Sequence, residues 1–463
     1  MGNAYAPPSD IIRHILEFIP HDYQNIVTFA AVHSTHRADV QRYSAWLSER
    51  LKDEASPLPI DAWARLFLHA THANFAFRPT LDVSGLQGLR YLKIKWCRDV
   101  NVGSLTQLTQ LNMNLCHAMD LQGLTRLKTL DMTGCIGVQS VQSLTTLTSL
   151  NMDFCKHVTG VQHCTNLTHL NMDGSEIHSY DFLKSLQSLT HLNARGCNVM
   201  DDQLLPGLTH LNMMKCTTVT NAGLAALTRL KSLNISECDQ ITHVPLTQLT
   251  LLDVSACRQL LDTGVQTLTG LTSLDISSSL ITDAGIWDMT QLVDLNMTGS
   301  RLTDAGLQRL TRLTHLNMHL NRQITDAGIR NLTRLQVLNM KWCTQITDAG
   351  IRGLTQLTSL DMGSKLGISD AGLRCLTRLT HLNIKSNSQI TDAGIRNLTR
   401  LEDLNMAWCK KITDAGIRNL TRLTSLDINH DTRVTEDGLK PLIRLKHLPR
   451  SEIKPTDYEE YLD

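Results

Sequence analysis

Residues 390–411 read ITDAGIRNLTRLEDLNMAWCKK, and this stretch decides how the chain folds. Near its end, Leu404 and Met406 alternate with polar residues, and alternation with a period of two predicts a short strand with one buried face. Thr391 and Asp392 stand where a short helix would begin, because their side chains can accept hydrogen bonds from its first amides. The stretch therefore predicts one strand and one short helix.

The same unit recurs along most of the chain in the form L-x-x-L-(N/D)-(M/I)-x-x-(C/N/S). Its second Leu returns every 19 to 22 residues, and another Leu stands three positions earlier in all 17 copies. One unit cannot bury its apolar edge alone, so the copies must stack side by side to close a core. The second Leu lies at 92, 111, 130, 150, 170, 192, 211, 233, 252, 274, 295, 316, 338, 360, 382, 404 and 426.

Charge and composition argue against several classes of function. The 44 basic and 44 acidic side chains cancel, which removes the bulk electrostatic argument for nucleic acid or an anionic membrane. No apolar stretch is long enough to cross a bilayer, and the first residues do not resemble a secretory leader. We therefore expect a soluble protein of the cytoplasm or nucleus, with neither a nucleic acid nor a membrane as partner.

The repeat resembles the leucine-rich-repeat superfamily, and the resemblance covers residues 81–448. It implies an α/β fold, a leucine-rich-repeat solenoid with a parallel β-spine and short convex helices. In that superfamily the ninth position of the unit is Asn or Cys, whose side chain satisfies backbone groups in the turn after the strand. Asn321 and Asn387 match this pattern, and Lys365 departs from it. The cysteines at this position are Cys97, Cys116, Cys135, Cys155, Cys197, Cys216, Cys238, Cys257, Cys343 and Cys409.

The cysteines and the repeated TDAG motif carry no chemistry in this interpretation. The cysteines lack the C-x-x-C spacing of zinc sites, and stacked free thiols suit a reducing compartment. TDAG signals a helix start, since a catalytic site would not need several copies. The sequence also lacks a nucleophile elbow, a P-loop, HExxH and a dinucleotide fingerprint. We predict no catalytic residue, no metal, no cofactor and no enzyme activity.

The candidate binding site is the row of outward residues on the concave face of the predicted sheet. Asn or Asp fills the position after the second Leu in 16 of 17 repeats, which indicates a structural, hydrogen-bonded ladder. Selection of a partner must then come from the flanking positions, where exposed Trp and Arg are typical of interfaces. Such a long face suits a protein target. The predicted set is Lys95, Trp96, Phe154, His169, Asp173, His191, Arg195, His210, His315, His319, Lys341, Trp342, His381, Lys385 and Trp408.

Three of these residues, His169, His191 and His210, occupy one position in three adjacent repeats, so their rings should stack. Such a run could form a metal site or a pH-sensitive site. The competing interpretation is that they are solvated residues at a polar position. The sequence leaves these alternatives open.

Residues 1–51 do not follow the repeat and predict a small α-helical domain, with helical spacing from Ile11 to Ile19 and a second helix from Tyr23 to Val32. The segment resembles an F-box, which docks substrate receptors onto the adaptor of a cullin-type ubiquitin ligase. Pro7 and His36 depart from the Leu and Trp of that module. The matching residues are Pro8, Asp10, Ile11, Ile15, Leu16, Phe18, Ile19, Pro20, Ala31, Val32, Arg37 and Trp46.

The F-box resemblance implies a role and a domain plan. An F-box followed by Cys-type leucine-rich repeats implies a non-catalytic substrate-recognition subunit of a ubiquitin ligase. The alternative is a general interaction scaffold or enzyme inhibitor whose N-terminal helices only cap the solenoid. Residues 52–80 would link or cap, and 449–463 would form an acidic tail. The resemblance implies adaptor contacts by Pro8, Ile11, Ile15, Leu16, Ile19, Pro20 and Val32.

Overall fold

The computed structural model divides the chain into two compact units, Met1–Leu230 (unit 1) and Lys231–Asp463 (unit 2). The F-box-like segment, the position Lys365 and the acidic tail lie outside the described residues. The described residues are 70–76, 80–97, 99–117, 120–175, 181–197, 202, 205–363, 367–430 and 433–446.

Unit 1 is built on a parallel sheet in which each repeat contributes one strand. The strands follow one another in the order β1-β3-β5-β6-β7-β8-β9-β10, while β2 and β4 form a separate parallel pair. β1 precedes the first predicted repeat and was not anticipated from the sequence. The strands are β1 (His72–Ala76), β2 (Thr80–Leu81), β3 (Tyr91–Lys95), β4 (Asp99–Val100), β5 (Gln110–Asn112), β6 (Thr129–Asp131), β7 (Ser149–Asn151), β8 (His169–Asn171), β9 (His191–Asn193) and β10 (His210–Asn212).

Unit 2 repeats this plan with ten parallel strands in chain order. The register is the same at every pair, because the second Leu of one coil always lies beside the second Leu of the next, as in Leu338 beside Leu360. The strands are β11 (Ser232–Asn234), β12 (Leu251–Asp253), β13 (Ser273–Asp275), β14 (Asp294–Asn296), β15 (His315–Asn317), β16 (Val337–Asn339), β17 (Ser359–Asp361), β18 (His381–Asn383), β19 (Asp403–Asn405) and β20 (Ser425–Asp427).

Short helices occupy the return segments that carry the TDAG-like motif. The predicted cap is confirmed, because the Thr or Ser before most of these helices accepts a hydrogen bond from the amide two residues later, as Thr347 does from Ala349. Three 3-10 turns, Val161–His163, Asp181–Ser185 and Asp262–Gly264, stand in less regular coils. The helices are α1 (Asn221–Ala225), α2 (Asp283–Ile286), α3 (Asp304–Leu307), α4 (Asp326–Ile329), α5 (Asp348–Ile351), α6 (Asp370–Leu373), α7 (Asp392–Ile395), α8 (Asp414–Ile417) and α9 (Glu436–Leu439).

The core of each unit is a stack of aliphatic side chains. In the coil of β16, Leu335, Leu338 and Met340 are buried, and Ile346 and Ile351 close the same layer from the return segment. Burial at about 25 cal/mol per Å² of apolar surface is the main term that favours stacking. The Leu-x-Met pattern therefore acts as predicted, with both side chains pointing into the core.

The Asp of each TDAG motif bonds to the following coil. Both carboxylate oxygens of Asp326 accept hydrogen bonds from Thr347, one from its amide at 2.8 Å and one from its hydroxyl at 2.6 Å. The same pair of bonds joins Asp348 to Ser369, and so on along unit 2. A Cβ on Gly350 would lie 2.5 Å from the Asp326 Oδ1 atom, so glycine at this position permits the close approach of the two coils.

The cysteines of the ninth position are buried. Several donate to a carbonyl of the preceding coil, as Cys135 does to the Met113 oxygen at 2.8 Å and Cys155 to the Met132 oxygen at 3.1 Å. Ser175 replaces the thiol with a hydroxyl and donates to the Met152 oxygen at 2.6 Å. Burial raises the pKa of Cys135 to about 12 and of Cys155 to about 11, so both remain protonated donors.

Candidate functional site

Each coil presents outward side chains on the strand and one further side chain in the turn after it. On the strand, the residues before and after the second Leu are exposed or half-buried, while the Leu itself is buried, as β8 shows. The sheet face formed by these outward residues is called the exposed sheet face below. It is the face on which the sequence analysis placed the candidate binding site.

The constant Asn or Asp of the strand has a structural role, as predicted, but most of its bonds lie within one coil. Its Oδ1 atom accepts a hydrogen bond from the amide two residues later, as Asn193 does from Arg195 at 3.3 Å and Asn317 from His319 at 3.2 Å. This bond ends the strand and begins the turn. Bonds between coils join Asn112 to Asp131 at 2.9 Å, Asn234 to Asp253 at 2.8 Å and Asn296 to Asp275 at 2.7 Å.

The turn holds a residue with a left-handed backbone in every coil where it is described, four positions after the second Leu. We call these residues the turn row, and their φ angles lie between +53° and +71°. Glycine is the residue that adopts this conformation most easily. The turn row consists of Trp96, Leu115, Gly134, Phe154, Gly174, Gly196 and Lys215 in unit 1, and of Glu237, Ala256, Ser278, Gly299, Leu320, Trp342, Ser386, Trp408 and His430 in unit 2.

Four aromatic residues of the predicted set lie in the turn row, beyond the end of the strand. Trp96 and Phe154 in unit 1 are 53% and 61% exposed, and Trp342 and Trp408 in unit 2 are 44% and 45% exposed. A left-handed backbone costs a residue with a Cβ about 1–2 kcal/mol. These side chains therefore combine backbone strain with exposed apolar surface, and neither feature stabilises the fold.

Contacts within the turn row orient some of these aromatic rings. Trp408 stacks on His430, with ring centroids 4.1 Å apart and an angle of 24° between the planes. The Phe154 ring lies over Gly174, where an added Cβ would come within 2.7 Å of the Phe154 Cε1 atom. Glycine in one coil thus makes room for an aromatic ring of the coil before it.

The remaining predicted residues lie on the strands or directly after them. His315 and His381 are exposed on β15 and β18, one position before the second Leu. Among the residues three positions after the second Leu, Lys95, Arg195 and Lys385 are exposed, whereas Asp173, His319 and Lys341 are half-buried.

His169, His191 and His210 stack as the sequence predicted. Their strands pair in register, and both ring-to-ring distances are 4.1 Å, with angles of 15° and 9° between planes. Burial, together with the two neighbouring rings, lowers the pKa of His191 below its usual 6.5. The described residues contain no group of three or more His, Cys, Asp or Glu side chains arranged to hold a metal ion.

The exposed members of the turn row that the sequence analysis missed include Leu115, Leu320 and His430. Leu115 and Leu320 are 36% and 44% exposed, and His430 stacks on Trp408. The signal that could have identified them is their spacing from the second Leu, which matches that of Trp96, Phe154, Trp342 and Trp408.

The described residues include no helix that is long and apolar enough to span a bilayer. The longest of their α-helices is α1, with five residues.

Comparisons with known proteins agree with this architecture. Residues 331–355, 375–399 and 397–421 match the model of a family described as "Leucine Rich repeat". No curated protein matches the chain. Repeats of this kind typically form protein-interaction scaffolds that are not enzymes.

The solved structures that are similar in fold include two with TM-scores above 0.5. One is a chain of the TLR13–ssRNA13 complex, with a TM-score of 0.56 and 21% identity, and the match covers 81% of this chain and 64% of that chain. The other is from the mouse RP105/MD-1 complex, with a TM-score of 0.51, 18% identity and coverage of 81% and 82%. At these identities the likeness concerns the fold alone. Together with the repeat pattern and the family match, it shows that the described residues have the fold of a leucine-rich-repeat solenoid.

Proposed function

We propose that this protein is a non-catalytic receptor that binds a target protein through the turn row and the adjoining exposed sheet face. The observation that carries the proposal is the presence of exposed Trp and Phe at left-handed positions that favour glycine. Residues held in unfavourable backbone conformations cluster at functional sites. Trp is also the residue type most enriched among those that dominate binding energy.

The spacing of these side chains suits a macromolecule. Trp342 and Trp408 occupy equivalent positions three coils apart, which corresponds to about 14 Å at about 4.8 Å per strand. A small metabolite would not span both rings, whereas a protein segment could place one side chain against each. The rings would act as separate anchors within unit 2.

A finer proposal concerns the N-terminal segment and rests on its resemblance to an F-box. Ile11, Ile15, Leu16 and Ile19 would contact the adaptor of a cullin-type ubiquitin ligase. The protein would then be the substrate-recognition subunit, and other subunits would supply catalysis. The alternative is a scaffold or inhibitor in which these helices only cap the solenoid.

The target-binding proposal can be tested without disturbing the fold. Trp342→Gly and Trp408→Gly remove an anchor and place glycine at a left-handed position, so we expect target binding to fall while thermal stability does not. Cross-linking and mass spectrometry of the full chain would give the set of bound proteins. Trp287→Ala is the matched control, because Trp287 is 46% exposed but lies at the end of α2 in a return segment. Retention of every partner by both glycine variants would refute the proposal.

The adaptor proposal has a separate test on the full chain. Ile15→Asp places a charge on the predicted apolar helix face and should abolish capture of the purified ligase adaptor. The same variant should keep its target, whereas Trp408→Gly should keep the adaptor. If Ile15→Asp leaves adaptor capture unchanged, or if no adaptor binds to the unmodified chain, the ligase role is wrong and the scaffold alternative stands.

A further inference from the structure

The return segments of unit 2 carry exposed cations at two positions that recur from coil to coil. The first position directly follows the short helix, and the second lies four residues later, just before the first Leu of the repeat. We call these two sets the arginine rows, and all their members are exposed. The first row is Arg330, Arg352, Arg374, Arg396, Arg418 and Lys440, and the second is Arg334, Arg378, Arg400, Arg422 and Arg444.

The carboxylates of the same return segments leave these charges without a partner. The TDAG aspartates from Asp326 to Asp414 are half-buried, and each uses both oxygens on the following coil, as Asp392 does with Thr413. Among the described residues, none of the ten arginines is in an ion pair, whereas Lys440 pairs with Asp437. The guanidinium groups are therefore available to an outside anion.

The composition and spacing of the rows favour a ligand with several carboxylates or similar oxyanions. Neighbouring coils are bonded through the TDAG aspartates, so like charges lie side by side and repel each other. The rows therefore do not stabilise unit 2 by themselves. Arginine fills ten of the eleven positions, and its planar fork binds oxyanions with two parallel hydrogen bonds, which lysine cannot do.

The surface between the rows argues against nucleic acid bases and lipid. From α4 to α8 the residues between the two positions are Asn, Gly or Cys, then a buried Leu, then Thr, as in Asn397, Leu398 and Thr399. This part of the surface has no aromatic side chain on which bases could stack and no exposed large apolar side chain that could enter a bilayer. An acidic protein segment needs neither.

The chain itself provides such a segment next to the rows. Residues 456–463 read TDYEEYLD and contain four acidic side chains and no basic one. Lys446 is the last described residue, two positions after Arg444, and its amide donates to a carbonyl of the preceding coil at 2.9 Å. Residues 447–455 can extend over about 30 Å, whereas the second row from Arg444 back to Arg334 covers five coils, or about 24 Å at the strand spacing.

We propose that the acidic tail, residues 449–463, binds the arginine rows of unit 2, with its carboxylates accepting hydrogen bonds from the guanidinium groups. The contact is intramolecular, so the tail is present at a high effective concentration. An acidic segment of another protein must displace it. The arginine rows are thus a second interaction surface, distinct from the turn row, and the tail controls access to it. This inference does not depend on the proposed function.

Chemical cross-linking of the full chain can locate the tail. A carbodiimide joins carboxylates to lysine amines but not to guanidinium groups, so Arg396→Lys combined with Arg400→Lys keeps the charge of the rows and makes them reactive. Mass spectrometry of the digested monomer should then find residues 456–463 joined to position 396 or 400. Lys411 is the matched internal control, because it is exposed in the turn of the neighbouring coil and lies outside the rows. It should remain unjoined to the tail.

A binding measurement tests whether the tail covers the rows. Deletion of residues 449–463 should increase the affinity for a fluorescent hexa-glutamate peptide by about tenfold, the combined effect expected of four exposed ion pairs. Arg396→Glu combined with Arg400→Glu should abolish this gain in the shortened chain. Lys411→Glu also reverses a charge of unit 2 but should leave the gain in place.

Several results would overturn the inference. These are absence of a cross-link from the tail to positions 396 and 400, cross-links that form only between two molecules, or hexa-glutamate affinity that deletion of the tail does not change. Binding of a single-stranded DNA 20-mer to the intact chain through Arg396 and Arg400 would assign the rows to nucleic acid and would also overturn it. None of these results affects target capture by Trp342 and Trp408.

Discussion

Unit 1 and unit 2 share one strand register but differ in the side-chain hydrogen bond that most regularly joins neighbouring coils. In unit 1 many hydrogen bonds between coils lie in the turn after the strand, where thiols such as Cys135 and Cys155 donate to a carbonyl of the preceding coil. We call a side-chain hydrogen bond between neighbouring coils a tie. In unit 2 the regular tie lies at the start of the return helix, where each Asp accepts two bonds from the next coil, as Asp326 does. The comparison indicates that the leucine core sets the register of the strands, while the side-chain hydrogen bonds that join neighbouring coils can vary.

The largest effect should come from closing the space between two coils of unit 2. Gly350→Ala places a Cβ 2.5 Å from the Asp326 Oδ1 atom, which Thr347 holds in place, so we expect a loss of about 3 kcal/mol. Gly353→Ala is the control, since its Cβ would lie 3.7 Å from the nearest atom. Hydrogen exchange of β16 and β17 amides measures the local loss. Equal protection of these amides in both variants would show that the close packing at Gly350 does not contribute to local stability.

A somewhat smaller effect should follow from removing the carboxylate itself. Asp326→Ala deletes two hydrogen bonds to Thr347 and should lower local stability by about 2 kcal/mol. Among the described residues of unit 1, Asp202 makes the same pair of bonds to Thr220, and Asp202→Ala should cost a similar amount there. Asp403→Ala, at an exposed strand position, is the control. If Asp202→Ala has no effect on local stability, the Asp–Thr bonds stabilise unit 2 but not unit 1, and the units differ in more than which side chains bond between coils.

The thiol tie of unit 1 should contribute less. Cys155→Ala removes the bond to the Met132 carbonyl and should cost about 1 kcal/mol. Cys155→Ser should lose less, because Ser175 already makes the equivalent bond with a hydroxyl. Hydrogen exchange of β6 and β7 amides compares the two variants. Equal losses would mean that the volume of sulfur matters rather than its hydrogen bond.

The smallest effect should be a pH dependence of unit 1 stability. His191 has a lowered pKa in the folded chain, so the unfolded chain takes up its proton first as pH falls below about 6.5. Stability should therefore decrease from that pH until the folded ring is protonated too. Thermal unfolding between pH 7.5 and 5 should show a shallower decline for His191→Leu. An identical decline would show that His191 does not cause the pH dependence of stability.

The repeated core was predictable because its signal recurs with each coil. Leu338 and Met340 lie where the alternation placed them, and the Thr347 cap followed from its position before DAGI. The stacking of His169 on His191 followed from equal spacing in adjacent coils. In each case the residue pattern within a repeat, together with its recurrence, was sufficient to predict the feature.

Other features depend on geometry that residue type does not reveal. Trp has no preference for a left-handed backbone, so its residue type does not indicate that Trp342 and Trp408 lie at left-handed turn positions. Only the structure shows this. Asp326 is a good helix-start residue, and nothing in its sequence context indicates that both oxygens bond to the next coil. β1 was missed because His72–Ala76 lacks the leucine pattern of the repeat.

The constant register of unit 2 has an evolutionary consequence. Because every coil from β15 to β20 pairs Leu with Leu, a duplicated or deleted coil would add or remove one strand without shifting its neighbours. The separation of Trp342 from Trp408 would then change in steps of about 4.8 Å. Unequal recombination within the gene could therefore adjust the distance between two binding anchors without changing the type of side-chain environment around each of them.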